Sequence, residues 1–205
     1  MVGKKTRSRA RDTSDDPSVA AATLWPAVEL TGPSKPLLSV PRPGPAGRLP
    51  ERKASGVLPQ FWWLGVHGGA GETSLAQATI DTKAAEHHWP LSDKPVPVVL
   101  VCRSNITGLQ AAQRAATEWA SGSRTSTSVL GLVVVADAPG RLPARIRDFT
   151  RIVGGGVPHL WTVPWMEQWR LGHHVPAEEL PRTVRTVLDQ VRLAASTLPA
   201  GTPAT

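Results

Sequence analysis

Tyrosine is absent from this 205-residue chain, and cysteine is represented by Cys102 alone. One cysteine excludes an internal disulfide and any zinc site of the Cys-x-x-Cys type. The longest apolar run, from Val129 through Ala136, is far shorter than the roughly 20 residues that a membrane helix needs. No apolar signal-peptide core follows the basic amino terminus. We therefore expect a cytoplasmic protein without a membrane span.

Positive charge is concentrated near the amino terminus. Residues 1–55 carry ten Lys or Arg against five Asp or Glu, whereas residues 56–205 carry 13 against 11. Residues 1–58 are also rich in proline and lack periodicity, which predicts a disordered basic arm. Its basic cluster is a candidate contact for nucleic acid or an anionic membrane, although charge runs are more often solvated tails. The cluster consists of Lys4, Lys5, Arg7, Arg9 and Arg11.

Beyond the arm, four apolar runs alternate with segments of helix length. The runs are FWWLGV, PVPVVLV, SVLGLVVV and HLWTV, and the expected helices cover residues 73–87, 107–122, 143–153 and 177–195. Apolar strands without polar alternation are typical of parallel sheets with helices on both faces. The sequence predicts an α/β domain at 59–195, with three layers and a mostly parallel sheet of about four or five strands. Residues 196–205 are expected to be a flexible tail.

The first apolar run leads into a glycine-rich turn, WLGVHGGAGETSLA, and then into a helix. This order is the context of a phosphate-binding loop, in which glycines let backbone N–H groups point at one anion. In the pattern GxxxxGK[ST], the lysine neutralises the β- and γ-phosphates and the hydroxyl holds Mg²⁺. Here Glu72 takes the place of the lysine and Val66 that of the first glycine, while Thr73 keeps the hydroxyl.

Replacing the lysine by Glu72 changes the local charge by two units where phosphates need a cation. Ordinary ATP hydrolysis is therefore not expected. The same loop could instead keep its glycines for tight packing alone, hold another anion, or be filled by Glu72 itself. The predicted phosphate or nucleotide contacts are His67, Gly68, Gly69, Ala70, Gly71, Glu72, Thr73 and Ser74.

The stretch HGGAGETS resembles the loop of ParA/MinD-like (SIMIBI) phosphate-loop NTPases, which reads KGGxGKT followed by Thr or Ser. The resemblance covers roughly residues 60–172 and implies a truncated, degenerate member of that superfamily. The signature lysine, which acts across the family's dimer, falls on His67, and the loop lysine falls on Glu72. The strands that carry the family's catalytic aspartates have no obvious counterparts here.

The chain also resembles small actinobacterial proteins that share the HGGAGET loop, DAPGRLP and PWMEQWRLG. That resemblance implies a setting near conjugative or integrative elements. It is an analogy and not a derivation from the residues.

Asp137, at the end of the run VVVADAPG, has more than one interpretation. As an Asp-x-x-Gly after a strand, it could hold Mg²⁺ through a water. In the order that the family resemblance implies, it falls near a base contact, with Pro164 near another, and we favour this alignment. A strand-end aspartate that caps the following loop is a third interpretation.

Trp161, Trp165 and Trp169 follow one another near the fourth run and are predicted to form an interaction surface, with packing against the sheet as the alternative. The six histidines show no HExxH or Cys/His spacing, so no metal site is predicted. Without a GxSxG elbow, nucleophilic serine chemistry is not expected. Cys102 ends a buried run and is interpreted as inert packing.

The leading hypothesis is a catalytically inactive ParA/MinD-like domain that acts as an adaptor or regulator of a protein partner, in a conjugative or partition system. It assigns no cofactor and allows a homodimer. The first alternative is an NTPase using ATP and Mg²⁺, in which Arg103 or Arg141 replaces the missing lysine. The second alternative is a nucleic-acid-binding accessory protein that uses the basic arm.

Overall fold

The computed structural model describes residues 32–37 and 39–197, and the basic cluster near the amino terminus lies outside them. The strands of the described chain are β1 (Glu51–Lys53), β2 (Phe61–Gly65), β3 (Thr82–Ala84), β4 (Trp89–Leu91), β5 (Val96–Arg103), β6 (Thr127–Val135) and β7 (Leu160–Val163). Its helices are α1 (Glu72–Gln77), α2 (Ile106–Ala120), α3 (Ala144–Gly154), α4 (Glu167–Arg170) and α5 (Arg182–Ser196), with a 3₁₀ turn at Ala177–Glu179.

Five strands form one parallel sheet in the order β3-β2-β5-β6-β7. Alternate residues of β5 point to opposite faces. Val99 and Val101 join the apolar cluster that includes α1 and α5, whereas Leu100 and Cys102 join the cluster that includes α2. Because both faces are covered, β5 has no polar alternation. The predicted α/β class, with a parallel sheet between helical layers, is confirmed.

Helix α2 starts at Ile106, one residue before its expected start. The side chain of Asn105 accepts a 2.7 Å hydrogen bond from the Gly108 amide, so Asn105 is the N-cap and Thr107 lies inside the helix. A Cβ on Gly108 would lie 2.6 Å from the carbonyl oxygen of Arg103. Glycine at this position lets the helix start close to the end of β5.

The predicted helix over residues 73–87 is wrong beyond its first turns. Helix α1 ends at Gln77, and the Thr79 hydroxyl donates to the Leu75 carbonyl at 2.7 Å. Asp81 then adopts a positive φ of 59°, and the chain turns into the edge strand β3. Branched residues such as Ile80 have low helix propensity, and pairing with β2 outweighs continuation of the helix.

The predicted boundary of the irregular arm also differs from the structure. Residues 51–53, assigned to the arm, form β1 and pair in parallel with β4. Further upstream, the Leu37 amide donates to the carbonyl of Ala120 at 2.8 Å. The segment before residue 59 is therefore attached to the domain by backbone hydrogen bonds over part of its length.

The last predicted helix begins later than expected, because the 3₁₀ turn precedes it and Pro181 is the N-cap of α5. Val184, Leu188 and Val191 of α5 pack in the same apolar cluster as Val99. Among the described helices, none combines the length and the apolar character needed to cross a membrane.

A buried ionic cluster connects β1 and β4 to the carboxyl end of α2. Glu118 is 1% exposed and Arg124 is 6% exposed; the two form an ion pair, and Arg124 also pairs with Glu51. The Trp89 indole donates a 2.9 Å hydrogen bond to the other carboxylate oxygen of Glu118. Buried charges need such partners, because an unpaired one is strongly destabilising.

The substitution Glu118→Ala should lower the free energy of unfolding by about 3 kcal/mol, because it leaves Arg124 buried with one partner fewer. Gln113→Ala, at an exposed position of the same helix, should change it by less than about 0.5 kcal/mol. Urea unfolding followed by circular dichroism measures both. Equal effects of the two substitutions would contradict a structural role for the cluster.

Candidate functional site

The carboxyl ends of β2, β5 and β6 meet at one edge of the sheet. After β2, the chain crosses one face through α1 and returns at β3, whereas after β5 it crosses the other face through α2 and returns at β6. The two connections diverge and leave a crevice between β2 and β5. In open parallel sheets, ligands bind at such a switch point. The predicted phosphate loop lies beside this crevice.

Residues 66–71, called the glycine loop below, continue from β2. The Val66 amide still donates to β5, at 3.0 Å, and the Ala70 amide donates to the His67 carbonyl at 3.3 Å to close a turn. Gly69 and Gly71 have φ values of 73° and 104°, which residues with side chains rarely adopt. Glycine is therefore required at these two positions by the backbone path.

The outer side of the glycine loop is open. A Cβ on Gly68 or Gly69 would meet no atom within 4 Å. Within the part of the chain that the structure describes, the amides of Gly68, Gly69 and Gly71 have no hydrogen-bond partner. The loop thus offers backbone donors and space to an incoming acceptor group.

Glu72, the first residue of α1, points back toward β2. Its side chain is nearly buried, and one carboxylate oxygen accepts a 2.5 Å hydrogen bond from the Gly65 amide. The other oxygen lies 3.4 Å from Nδ1 of His87, which is also 2.7 Å from the Gly65 carbonyl. A Cβ on Gly65 would lie 2.9 Å from the carboxylate and 3.0 Å from His87. Glu72 therefore stabilises the join between β2 and α1 and does not face the open side of the loop.

Arg103, the last residue of β5, lies across the glycine loop. Its Nε donates to the Gly69 carbonyl at 2.9 Å, and one terminal nitrogen donates to the Ala136 carbonyl at 3.0 Å. The other terminal nitrogen lies 4.0 Å from the position of a Cβ on Gly71. Of the two arginines considered as substitutes for the lysine, Arg103 is at the loop, whereas Arg141 is exposed in the loop after β6.

His67 connects the glycine loop to β5. Its Nε2 accepts a 3.0 Å hydrogen bond from the Arg103 amide, and its Nδ1 lies 2.8 Å from the Gly68 carbonyl. An accepting Nε2 requires the neutral tautomer with the proton on Nδ1, which then donates to Gly68. His67 therefore fixes the backbone of the glycine loop against the end of β5.

Burial lowers the pKa of the Arg103 guanidinium, and the neighbouring Arg170 lowers it further, while the Asp137 carboxylate acts in the opposite direction. An arginine remains charged at physiological pH despite such a shift. The site therefore contains a permanent positive charge beside the glycine loop, and it comes from a strand end instead of the loop itself.

Asp137 follows β6 and is exposed. Its carboxylate accepts a 3.1 Å hydrogen bond from the Asn105 side chain, and its amide donates to the Ser104 hydroxyl at 3.0 Å. These contacts connect the loop after β6 to the start of α2. The Mg²⁺ and base-contact interpretations of Asp137 and of Pro164, which directly follows β7, stay predictions.

The predicted tryptophan surface is not formed as a unit. Trp161 and Trp169 are buried in the apolar cluster of the sheet, because β7 and α4 turn these side chains inward. Trp165 is half-buried, and its indole donates to Glu167 at 2.9 Å. The packing alternative is therefore correct for two of the three residues.

Cys102 is fully buried, and burial raises the pKa of its thiol to about 12. A thiol with that pKa has almost no thiolate at neutral pH, so Cys102 contributes packing and no nucleophile. Among the described residues, no group of three or more His, Cys, Asp or Glu side chains could hold a metal ion.

Sequence reasoning missed the contacts of His87. His87 lies three residues after the end of β3, and its ring contacts Glu72 and Gly65. The chain turns there through positive φ angles at both Glu86 and His87. No local pattern indicated this, since the sequence placed His87 at the end of a helix. The adjacent glycine, Gly65, was a signal of close approach that could have been used.

Residues 59–188 match the model of a family of unknown function, DUF6668, and the chain belongs to that family. The matched region extends from just before β2 into the first half of α5. No curated protein and no solved structure matched the chain. The function therefore has to follow from the geometry of the site.

The substitution Gly65→Ala should lower the free energy of unfolding by about 2 kcal/mol, because the new methyl group would displace the Glu72 carboxylate. In a Glu72→Ala background the same change should cost at least about 1 kcal/mol less. Gly68→Ala, where the added Cβ meets open space, is the matched control and should be nearly neutral. Denaturant unfolding of the four members of the cycle tests the coupling, and additive effects would contradict it.

Proposed function

We propose that this chain is a non-hydrolysing, phosphate-loop-like domain that acts as an adaptor or regulator of a protein partner. The resemblance of HGGAGETS to ParA/MinD-like loops motivates the proposal. The observation that carries it is the orientation of Glu72, whose carboxylate is buried and hydrogen-bonded to the Gly65 amide. The position that should hold the phosphate-neutralising lysine instead contributes to the internal structure of the domain.

Hydrolysis of a nucleoside triphosphate needs a cationic side chain that neutralises the transferred phosphate. It also needs a Mg²⁺ ion held by a hydroxyl and an acidic residue. Glu72 has the wrong charge for the first role. Asp137, the candidate acidic residue, is hydrogen-bonded to Asn105 and follows β6. The described residues around the glycine loop therefore support binding better than hydrolysis of a nucleotide.

An adaptor function requires a fixed recognition surface, and the glycine loop provides one. Its backbone path is held by His67, and its Gly69 carbonyl is bound to Arg103. The free amides and the guanidinium together suit a carboxylate or phosphate group that a partner protein presents. A site that is already ordered in this way can bind a partner without a conformational change.

The full-length protein should release no phosphate from ATP or GTP in the presence of Mg²⁺, with a turnover below about 10⁻⁴ s⁻¹, slower than an unassisted GTPase. Glu72→Gln should be equally inactive, because removing the negative charge does not supply a cation. A phosphate-release assay measures both proteins. Turnover by the natural protein that is lost in Arg103→Ala would overturn the proposal and favour the enzyme alternative.

Arg103 supports a second candidate function, in which the glycine loop holds a nucleotide without hydrolysing it. A guanidinium beside open backbone amides supplies the positive charge that the loop itself lacks. This is the arrangement that the substitute-cation alternative requires. It concerns binding only, because the hydrolytic machinery described above is still missing.

If nucleotides bind, Arg103→Ala should weaken ATP, ADP and GTP binding by at least about tenfold, the usual effect of losing a charge-assisted hydrogen bond. Arg141→Ala removes an equal charge from an exposed position and should change affinity less than twofold. Calorimetric titration of each nucleotide with Mg²⁺ compares them, and thermal unfolding checks that Arg103→Ala is folded. Absence of binding by the natural protein would exclude this second function and leave the adaptor proposal intact.

A further inference from the structure

A cavity of about 530 Å³ lies along the outer edge of β3, on the other side of β2 from the crevice described above. Helix α1 borders it through Thr73, Ala76 and Gln77, and β1 borders it through Arg52 and Lys53. The cavity therefore separates the edge of the five-stranded sheet from the two-stranded pair of β1 and β4.

Among the described residues, none pairs with the backbone of β3 on the side that faces this cavity. On the inner side, the Gln60 amide donates to the Asp81 carbonyl and the Ala85 amide donates to β2, both at 2.8 Å. Because alternate residues of a parallel strand direct their backbone groups to opposite sides, Thr82 and Ala84 direct theirs away from β2. In the described chain these backbone groups have no partner.

Positive charge surrounds this edge. Arg52, Lys53 and Lys83 line the cavity and are exposed, and one carboxylate, Glu86, accompanies them. Arg52 and Glu86 are paired at 2.5 Å, so their charges compensate each other. Lys53 and Lys83 have no carboxylate partner among the described residues. The open edge is therefore flanked by two uncompensated lysines.

Lys83 is held in place although its charge is uncompensated. Its ammonium group donates to the Val57 carbonyl at 2.9 Å and lies 5.9 Å from the centre of the Trp62 ring. These contacts fix the charge beside β3 and leave ammonium protons for a further acceptor.

We propose that the edge of β3 binds an acidic, extended peptide segment of a partner protein as an additional strand. Strand addition satisfies the backbone groups of Thr82 and Ala84, and acidic side chains of the peptide pair with Lys53 and Lys83. A second copy of this chain is disfavoured as the occupant, because two β3 edges would bring their lysines together. The inference does not depend on whether the glycine loop binds nucleotides.

The test measures binding of a fluorescently labelled peptide of sequence (Glu-Val)₄ to the full chain by fluorescence anisotropy. We expect saturable binding. The same peptide with every backbone nitrogen N-methylated keeps its charge but has no backbone N–H donor on either edge, and it should bind at least about tenfold more weakly. The basic counterpart (Lys-Val)₄ should also bind at least about tenfold more weakly. Absence of binding, or equal binding of the N-methylated peptide, would overturn strand addition.

Two protein variants locate the binding. Lys83→Glu should weaken the acidic peptide at least about tenfold, whereas Lys94→Glu, an exposed lysine in the turn before β5, should change affinity less than twofold. Ala84→Pro removes an outward-facing amide that strand addition needs, so it should also abolish binding. The variant should still fold, because an edge strand tolerates proline where the amide faces away from the sheet. Equal losses in Lys83→Glu and Lys94→Glu would show unspecific attraction and contradict the assigned edge.

Discussion

The burial of β5 is the constraint on which the rest of the structure depends. This strand pairs with β2 on one edge and with β6 on the other, and Val98 to Cys102 are fully buried. Because both of its faces need cover, the helices before and after it have to lie on opposite sides of the sheet. The crevice at its carboxyl end results directly, and the same end places Arg103 beside the glycine loop. The candidate site is thus a consequence of how the core is closed.

Much of the fold could be predicted because strands that are buried on both faces consist mainly of apolar residues. The four long apolar runs became β2, β5, β6 and β7, and the alanine-rich segment became α2. The edge strand β3 was missed, since its three residues, two half-buried and one exposed, do not form an apolar run. Strand β1 was missed for a similar reason, because its three residues are charged and exposed, and its pairing with β4 joins residues far apart in sequence.

The site was predicted in outline but not in orientation. Glycine spacing identified the loop, because the left-handed conformations of Gly69 and Gly71 are a local requirement. The direction of Glu72 depends on His87, which reaches it through β3 and its following turn. Arg103 and Arg141 could not be ranked from sequence, since both follow apolar runs, and the decisive difference is that β5 is the strand adjacent to β2. Long-range partners of this kind are fixed only when the sheet order is known.

The attachment of β1 has a consequence for where the folding unit begins and ends. The family match starts at residue 59 and stops at residue 188, yet β1 lies before the first limit and the second half of α5 lies beyond the second. A fragment cut at these limits would expose the backbone edge of β4, deprive Arg124 of Glu51, and remove Val191 from the apolar core. The region that matches the family is therefore smaller than the region whose contacts stabilise the fold. Truncations of this chain should be placed before residue 37 and after residue 196, because the Leu37 amide is bonded to Ala120.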